Sequence, residues 1–559
     1  MARGHRSDRG PGAGQRHGKD RQGTWDIPLP PTRRHAGGKG DRLTKGPGPG
    51  GSSSRPGALR RDTKAELGVE PVSEAISERE SGTGGRSVFI VPVRSGNRAW
   101  RDPKEGREAP RLESHWRETR ERTLDLTNLS TKRQWIADLA RSKRGEALRS
   151  LHHVVDLEWM KEAWRLTRKD GAAGIDGVVA SDYAARLEAN LLDLLERIKS
   201  GRYRAPAVRR TYIPKADGTR RPLGIPTLED KVAQRAIVMV LEAIYEQDFL
   251  DCSYGFRPGR SAHQALQDLR NACMDGRLCW VLDVDISKYF DTISHEHLRS
   301  FLDQRVTDGV IRRMIDKWLK AGVMEEGLLH HATKGTPQGG VISPLLANIF
   351  LHHVLDEWYV GEVRPRLRQR STLVRYADDF VLAFEDVSDA RRVLSVLGKR
   401  FERYGLMLHP GKTRFVDFRP RRPGGDNHPG TDGTTFDFLG FTHVWGKSRR
   451  GRDVVRQVTA KNRLARGLAA VSDWCRRHRH RPIAEQHRHL TAMARGHYAY
   501  YGMSGNIRRV RRYGQALVRI WQKWLSRRGN ANPLRWSQMR ALLQRRPLPR
   551  PSITRCYTT

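Results

Sequence analysis

Apolar positions recur along this chain with two periods, and the switches between them outline its elements. In "LEWMKEAWRLTRKDGAAGIDG" the residues Leu157, Trp159, Met160 and Trp164 share one face of a predicted helix. Near the C-terminus Val510, Tyr513, Leu517, Ile520, Trp521 and Trp524 also recur at helical spacing, whereas Arg508, Arg511, Arg512 and Lys523 fall largely elsewhere. The stripe reads as a core face. Other stretches follow the strand period. "TYIPKADGTRRPLGIPTLEDK" predicts a strand ending at Ile213, a turn at Asp217-Gly218, a return carrying Arg221, and a helix start with Thr227 and Asp230 as a capping box. "CWVLDVDISKYFDTI" predicts an apolar strand whose period of two puts Asp283 and Asp285 on the same face. In "STLVRYADDFVLAF", Leu373, Val374 and Tyr376 precede a polar tip, and Phe380, Val381, Leu382 and Phe384 follow it, which predicts a hairpin. "GTPQGGVISPLLANIFLHHVLDEW" predicts a Gly-bounded loop, Ser343 as N-cap, Pro344 at the first helical position, and a helix apolar at Leu346, Ile349, Phe350 and Val354.

Residues 1 to about 128 read as different material, dense in Gly, Pro, Ser and Arg with one brief apolar patch at Ser87 to Val93. Such a segment buries too little surface to offset its ordering entropy, so disorder is expected. It shows neither the apolar core of a secretory signal nor the amphipathic face of an organellar transit peptide, so import is not supported. The whole chain, at 559 residues, is long enough for three or four domains.

Charge changes the picture most. A formal net charge of +41 and a pI near 10.8 create a field that attracts polyanions, and nucleic acids are the usual soluble ones. No apolar run reaches the roughly 20 residues that span a bilayer, so no membrane partner is expected and the location reads as cytoplasmic. The five cysteines are scattered, with no CxxC pair. Cys475, His478, His480, His487 and His489 lack paired zinc-ligand spacing, and the arginines between them favour an RNA-facing surface.

Candidate chemistry centres on Asp378 and Asp379. Two carboxylates about 4 Å apart repel by roughly 4 kcal/mol at an effective dielectric near 20, so a semi-buried pair calls for a cation. An ordinary surface turn has the same four letters. The apolar strand with Asp283 and Asp285 raises the same demand, and spacing does not choose between those two. Lys215 and Arg221 suit phosphate contact, and Gly339 and Gly340 would let backbone approach a ligand closely. Tyr498, Tyr500 and Tyr501, with Arg508, Arg511 and Arg512, are candidates for RNA contact through stacking and phosphate neutralisation.

In order along the chain, "IPK…RRPLGIP", "YGFRPGRSAHQAL", "DVDISKYFD", "PQGGVISPLLANIFL", "YADD", "LMLHPGKTRF" and "FDFLGF" resemble the reverse transcriptases encoded by group II introns, from about Leu151 to Tyr557. "RGHYAYYGMSGNIRRVRRYGQALVRIWQKWL" is similar to the family's thumb and maturase region, domain X. The resemblance implies an α+β right-hand polymerase with fingers, a palm built on an antiparallel sheet, and a helical thumb. It divides the chain into a disordered basic extension (1–128), an N-terminal helical extension (129–212), fingers and palm (213–442), thumb and domain X (455–545), and a basic tail (546–559) without an HNH endonuclease signature. It implies copying of intron RNA into cDNA during retrohoming by two-metal nucleotidyl transfer, with two Mg²⁺ ions held by Asp285, Asp378 and Asp379, and assistance to splicing.

By the same resemblance Lys215 and Arg221 would hold the triphosphate, Gln338 would lie along the nascent pair, Phe290 would exclude a 2′-hydroxyl, and Lys412, Gly339 and Gly340 would line primer and template. The implied partners are the intron RNA, template RNA, a DNA primer or target and dNTPs, with a homodimer compatible and a nucleoid setting in a bacterium. A non-catalytic splicing maturase, or a domesticated or defence-associated reverse transcriptase, is the alternative.

Overall fold

The computed structural model describes residues 128–557 except 215–219, 276, 326–327, 331–333, 337–338, 421–432, 449 and 530–532, together with the backbone but not the side chains of Pro214, Arg221, Leu328 and Leu329. The expected disordered extension, 1–128, lies outside the described residues but for Asn128. Everything described here belongs to one compact unit.

The fold is α+β. Helices Leu129–Ser142, Leu157–Leu166 and Leu187–Lys199 lead the chain and pack on or beside the long helix Leu228–Tyr245. Trp159 and Met160 are wholly buried there, as their helical spacing demands, and Trp159 Nε1 donates to the Ala236 carbonyl at 2.9 Å. Strands β1 (Val208–Pro214) and β2 (Arg220–Ile225) form the basic hairpin, antiparallel with Ile213 opposite Arg221. They share a sheet of order β2-β1-β4-β5, in which β4 is Val323–Glu325, β5 is Leu328–His330 and β1 runs parallel to β4. Thr227 caps the following helix as expected, accepting from the Asp230 amide at 3.2 Å. Asp230 does not complete a capping box. Its buried carboxylate accepts instead from Tyr203 Oη and Trp318 Nε1, which ties three elements together, and burial pushes it up to about 6. Ser343 departs from its expected place too: Ile342 is the N-cap, and Ser343 begins the helix Ser343–Leu351.

The central sheet has the order β6-β7-β3-β8, with β3 Trp280–Val284, β6 Ser371–Tyr376, β7 Asp379–Phe384 and β8 Arg414–Asp417, all antiparallel. Alternation decides what each face covers. Trp280, Leu282, Phe380, Leu382 and Phe384 enter the large core with helix Val387–Arg403 and helix Ser343–Leu351. Val281, Val381, Ala383 and Val374 face a second core built from helix Ala262–Met274 and the sheet β9 (Phe436–Phe438), β10 (Phe441–Lys447) and β11 (Asp453–Thr459). That three-stranded sheet, with Thr442 opposite Val458, joins residues on both sides of the 442–455 boundary that the sequence suggests. Behind it, helices Lys461–Arg477, Ile483–Tyr501 and Ile507–Leu525 pack around Val510, Tyr513, Leu517 and Trp521.

Candidate active site

The hairpin "YADD" turns in two residues, Ala377 and Asp378, between Tyr376 and its partner Asp379. Ala377 takes φ +58°, the left-handed region that a non-glycine residue enters only when its surroundings hold it there. Gly255 supplies part of that hold. A Cβ on it would lie 2.3 Å from the Ala377 amide nitrogen, so only glycine lets "YGFRPG" close on the tip. Asp379 opens β7. Asp283 lies opposite Val381, two positions along from Asp379, and Asp285 follows β3 directly, so the period of two brings Asp283, Asp285 and Asp379 to the same face.

These residues meet at a cleft of about 190 Å³ lined also by Lys412, Asp437, Leu439, Gly440 and Arg463. The loop after β3 is pinned by "LMLHPGK": the His409 amide donates to the Asp285 carbonyl at 2.8 Å, and the Ser287 amide to the Met407 carbonyl at 2.9 Å. Lys412 Nζ then reaches Asp285 Oδ2 at 2.9 Å from an exposed position. Asp437 accepts from Thr442 Oγ1. The motif "FDFLGF" contains Asp437 without marking it as part of the site, and Arg463 carries no sequence signal beyond its charge.

Electrostatically the cleft is crowded. Burial, reinforced by Asp379, Asp437 and Asp285 and opposed by Arg414, pushes Asp283 up to about 7. Burial, with Asp378 and Asp285, pushes Asp379 up to about 6 against Arg463 and Lys412. Asp379 keeps contact with solvent, so the like charges are its firmer cause, an exposed carboxylate being weakly desolvated. Oxygen donors in excess of nearby cations suit a hard divalent ion, and the residues present therefore fit a metal. Among the described residues the group of three whose ligand atoms all lie within 4.8 Å of one another is a different one, His352, His353 and Glu357, where His353 Nδ1 already lies 2.7 Å from Glu357 Oε2; the aspartates of the cleft are more widely spaced.

The structure thus brings together Asp283, Asp285, Asp379 and Lys412, whereas Asp378, on the turn beside Asp379, is not among the residues that line the cleft. Phe290 lies in the short helix Tyr289–Thr292, half-buried, its ring edge-to-face with Tyr289 at 5.5 Å. Gly339 has φ +115°, and a Cβ there would meet the Gly224 carbonyl at 2.4 Å, so the close approach it permits is to β2; Gly340 is buried. Lys215, Gln338 and the side chain of Arg221 lie outside the described residues.

Arg508, Arg511 and Arg512 are exposed on the last long helix. The tyrosines are placed differently from the expectation of base stacking. Tyr498 is 4% exposed and packs edge-on to Tyr513 within the helical bundle. Tyr500 donates to the Leu439 carbonyl at 2.8 Å and packs with His263 and Phe441, while Tyr501 lies 5.2 Å from Phe441. Their apolar rings seal the bundle against β10, which is a packing task. Of the Cys/His cluster, Cys475 is buried in the bundle, and His478 and His489 stack on Trp474 at 4.7 and 4.0 Å.

Residues 213–443 match the family described as reverse transcriptase (RNA-dependent DNA polymerase). The chain is 40% identical to Protein YkfC of Escherichia coli, over 42% of this chain and 70% of that one. It is 42% identical to the group II intron-encoded protein LtrA of Lactococcus lactis over 30% of this chain and 28% of LtrA. It is 27% identical to the mitochondrial nuclear intron maturase 4 of Arabidopsis thaliana, over 39% and 24% of the two chains. The chain therefore spans about a quarter of the length of the two intron-related relatives.

Proposed function

Because this chain belongs to the group II intron-encoded reverse transcriptase and maturase family, we propose that it is an RNA-directed DNA polymerase that also assists splicing of its intron. The observation that supports the polymerase reading is the meeting of Asp283, Asp285 and Asp379 from two neighbouring strands at a cleft where carboxylates outnumber cations, with Asp378 next to Asp379 on the turn. Reverse transcriptases use divalent metal; two Mg²⁺ ions held by Asp285, Asp378 and Asp379 are the finer proposal. When bound, such ions neutralise charge on the attacking and leaving oxygens of nucleotidyl transfer. The protein's own part is to hold its carboxylates ionised and oriented, and to keep the primer 3′-hydroxyl in line with the α-phosphate of the incoming dNTP. Asp437 and Arg463 line the cleft on the side of the helical bundle, where they can contact the primer-template duplex as it leaves.

The maturase half rests on the exposed basic face of helix Ile507–Leu525, whose Arg508, Arg511 and Arg512 are free to meet phosphate while the opposite face is core. Metal is required for polymerisation and not for recognition of a folded RNA by shape. Asp378→Ala is accordingly expected to abolish cDNA synthesis on an RNA template while intron binding and assisted splicing persist. Equal loss of both in a folded Asp378→Ala protein would overturn the division of labour. A non-catalytic maturase is disfavoured by the intact carboxylate set.

A further inference from the structure

Arg375 is the last fully buried residue of β6 before the tip residues Ala377 and Asp378, and its side chain is completely enclosed. Each end of its guanidinium is committed. Nε donates to Asp356 Oδ1 at 2.7 Å and a terminal nitrogen to Asp356 Oδ2 at 2.5 Å, a bidentate pair. The other terminal nitrogen donates to Asn348 Oδ1 at 2.9 Å and to the Ala377 carbonyl at 3.0 Å. Asn348 in turn donates to the Gly255 carbonyl at 2.6 Å. The backbone of Arg375 completes the clamp, its amide donating to the Cys252 carbonyl and its carbonyl accepting from the Tyr254 amide, both at 2.8 Å.

The Ala377 carbonyl belongs to the peptide that joins Ala377 to Asp378. Fixing its direction fixes the plane from which Asp378 departs, at a turn already held in a left-handed conformation. Asn348 and Asp356 come from helix Ser343–Leu351 and the π-helical turn His352–Asp356 that continues it. A wide turn of this kind is commonly retained at functional sites, and here it presents Asp356 to the arginine. An apolar pair of similar volume is often as stable as a buried ion pair, or more so, because both charges lose their hydration. What an apolar pair cannot do is donate to the Ala377 carbonyl and orient Asn348.

From this geometry we infer that Arg375, Asp356 and Asn348 form a positioning set for the reaction: a buried strut that ties the hairpin tip to the helix behind the "PQGG" loop and so aims Asp378 and Asp379. The inference rests on the polymerase reading above, and it assigns no contact with substrate to any of the three. The set acts through the peptide before Asp378.

The test uses the full chain, with single-nucleotide extension of a DNA primer on an RNA template, Mn²⁺ binding followed by electron paramagnetic resonance, RNA affinity and thermal midpoint. The double variant Arg375→Met/Asp356→Leu removes both charges and leaves neither unpaired. Its thermal midpoint is expected to fall only modestly, since no charge is left unpaired but the Ala377 carbonyl and Asn348 Oδ1 each lose a donor, with RNA affinity and the KM for dNTP unchanged, while kcat falls about tenfold to a hundredfold and Mn²⁺ binds more weakly, as displaced reacting groups require. Wild-type kcat and Mn²⁺ affinity in that variant would overturn the inference, leaving the three residues a structural role alone. Arg375→Lys, which keeps the buried charge and one bond to Asp356 but cannot span to Ala377, decides the matter if the double variant does not fold: kcat is expected to fall again, and a wild-type kcat overturns the inference. A wild-type chain without RNA-templated extension would instead remove the polymerase reading itself.

Discussion

Asp283, Asp285 and Asp379 share a face because a strand alternates, and that much is legible directly in the letters "DVD" and "ADD". What alternation does not tell is which polar residue has been recruited for packing. Asp230 reads as a capping carboxylate and proves to be a buried acceptor for Tyr203 and Trp318, because partners 27 and 88 residues away have no local signature. His443 is a comparable case in β10. It is fully buried, stacked on Phe436 at 4.5 Å, with its Nε2 2.9 Å from Gln457 Nε2. Burial holds it far below the usual histidine range, at about 3. The sign follows: a folded-state pKa below the unfolded value near 6.5 means that the unfolded chain takes up the proton first as pH falls. Stability from this group is intact above about pH 6.5 and is lost progressively toward pH 3, amounting to about 2 kcal/mol by pH 5. His443→Gln, which keeps a polar partner for Gln457, is expected to lose about that much less stability than the wild type between pH 7 and 5. An identical pH slope in both proteins, by urea titration, would show that His443 is not the acid-sensitive group.

Among elements, long periodic segments and tight hairpins are the ones that sequence resolves. The helix Ile507–Leu525 buries the stripe its spacing predicts, and the hairpin of β6 and β7 turns where the two carboxylates interrupt the apolar runs. The sheet of β9 to β11 is not legible, since "FDFLGF" is short and its strands pair across residues that fall between the two domain assignments, 213–442 and 455–545. The tyrosines mislead for a related reason: Tyr498, Tyr500 and Tyr501 fall on a helix whose second neighbour is that hidden sheet. The two faces of Ile507–Leu525 should separate in experiment. Trp521 is fully buried, with Nε1 donating to Gln486 Oε1 at 2.9 Å, so Trp521→Ala leaves both a cavity and an unpaired amide and is expected to cost about 3 to 5 kcal/mol. Arg511→Ala, on the exposed face, is expected to leave stability within about 0.5 kcal/mol. Chemical denaturation of the two variants measures both, and comparable destabilisation would mean that the basic face is packed.

At the scale of the whole molecule the dominant property is the +41 formal charge, which composition reveals at once but cannot locate. Among the described residues no helix is long and apolar enough to cross a membrane, and the arginines of the helical bundle's outer face are solvent-exposed at Arg508, Arg511, Arg512, Arg476 and Arg477. A protein that neutralises phosphates displaces condensed counterions, so its affinity falls linearly in log-log form with salt, at about 0.7 to 0.9 per phosphate contacted. If the basic face tracks the RNA backbone over roughly 6 to 10 phosphates, affinity for structured intron RNA is expected to fall about a thousandfold or more between roughly 50 and 200 mM salt. Charge alone would give some slope on any polyanion, so the decisive measurement is the change in slope on substitution. Arg508→Gln, Arg511→Gln and Arg512→Gln together should lower the slope by about 2 to 3 and leave Asp378-dependent chemistry on a short primer-template untouched at saturating RNA. Unchanged slopes in the triple variant, measured by filter binding across the same salt range, would move the RNA-binding surface off this helix and onto another part of the chain.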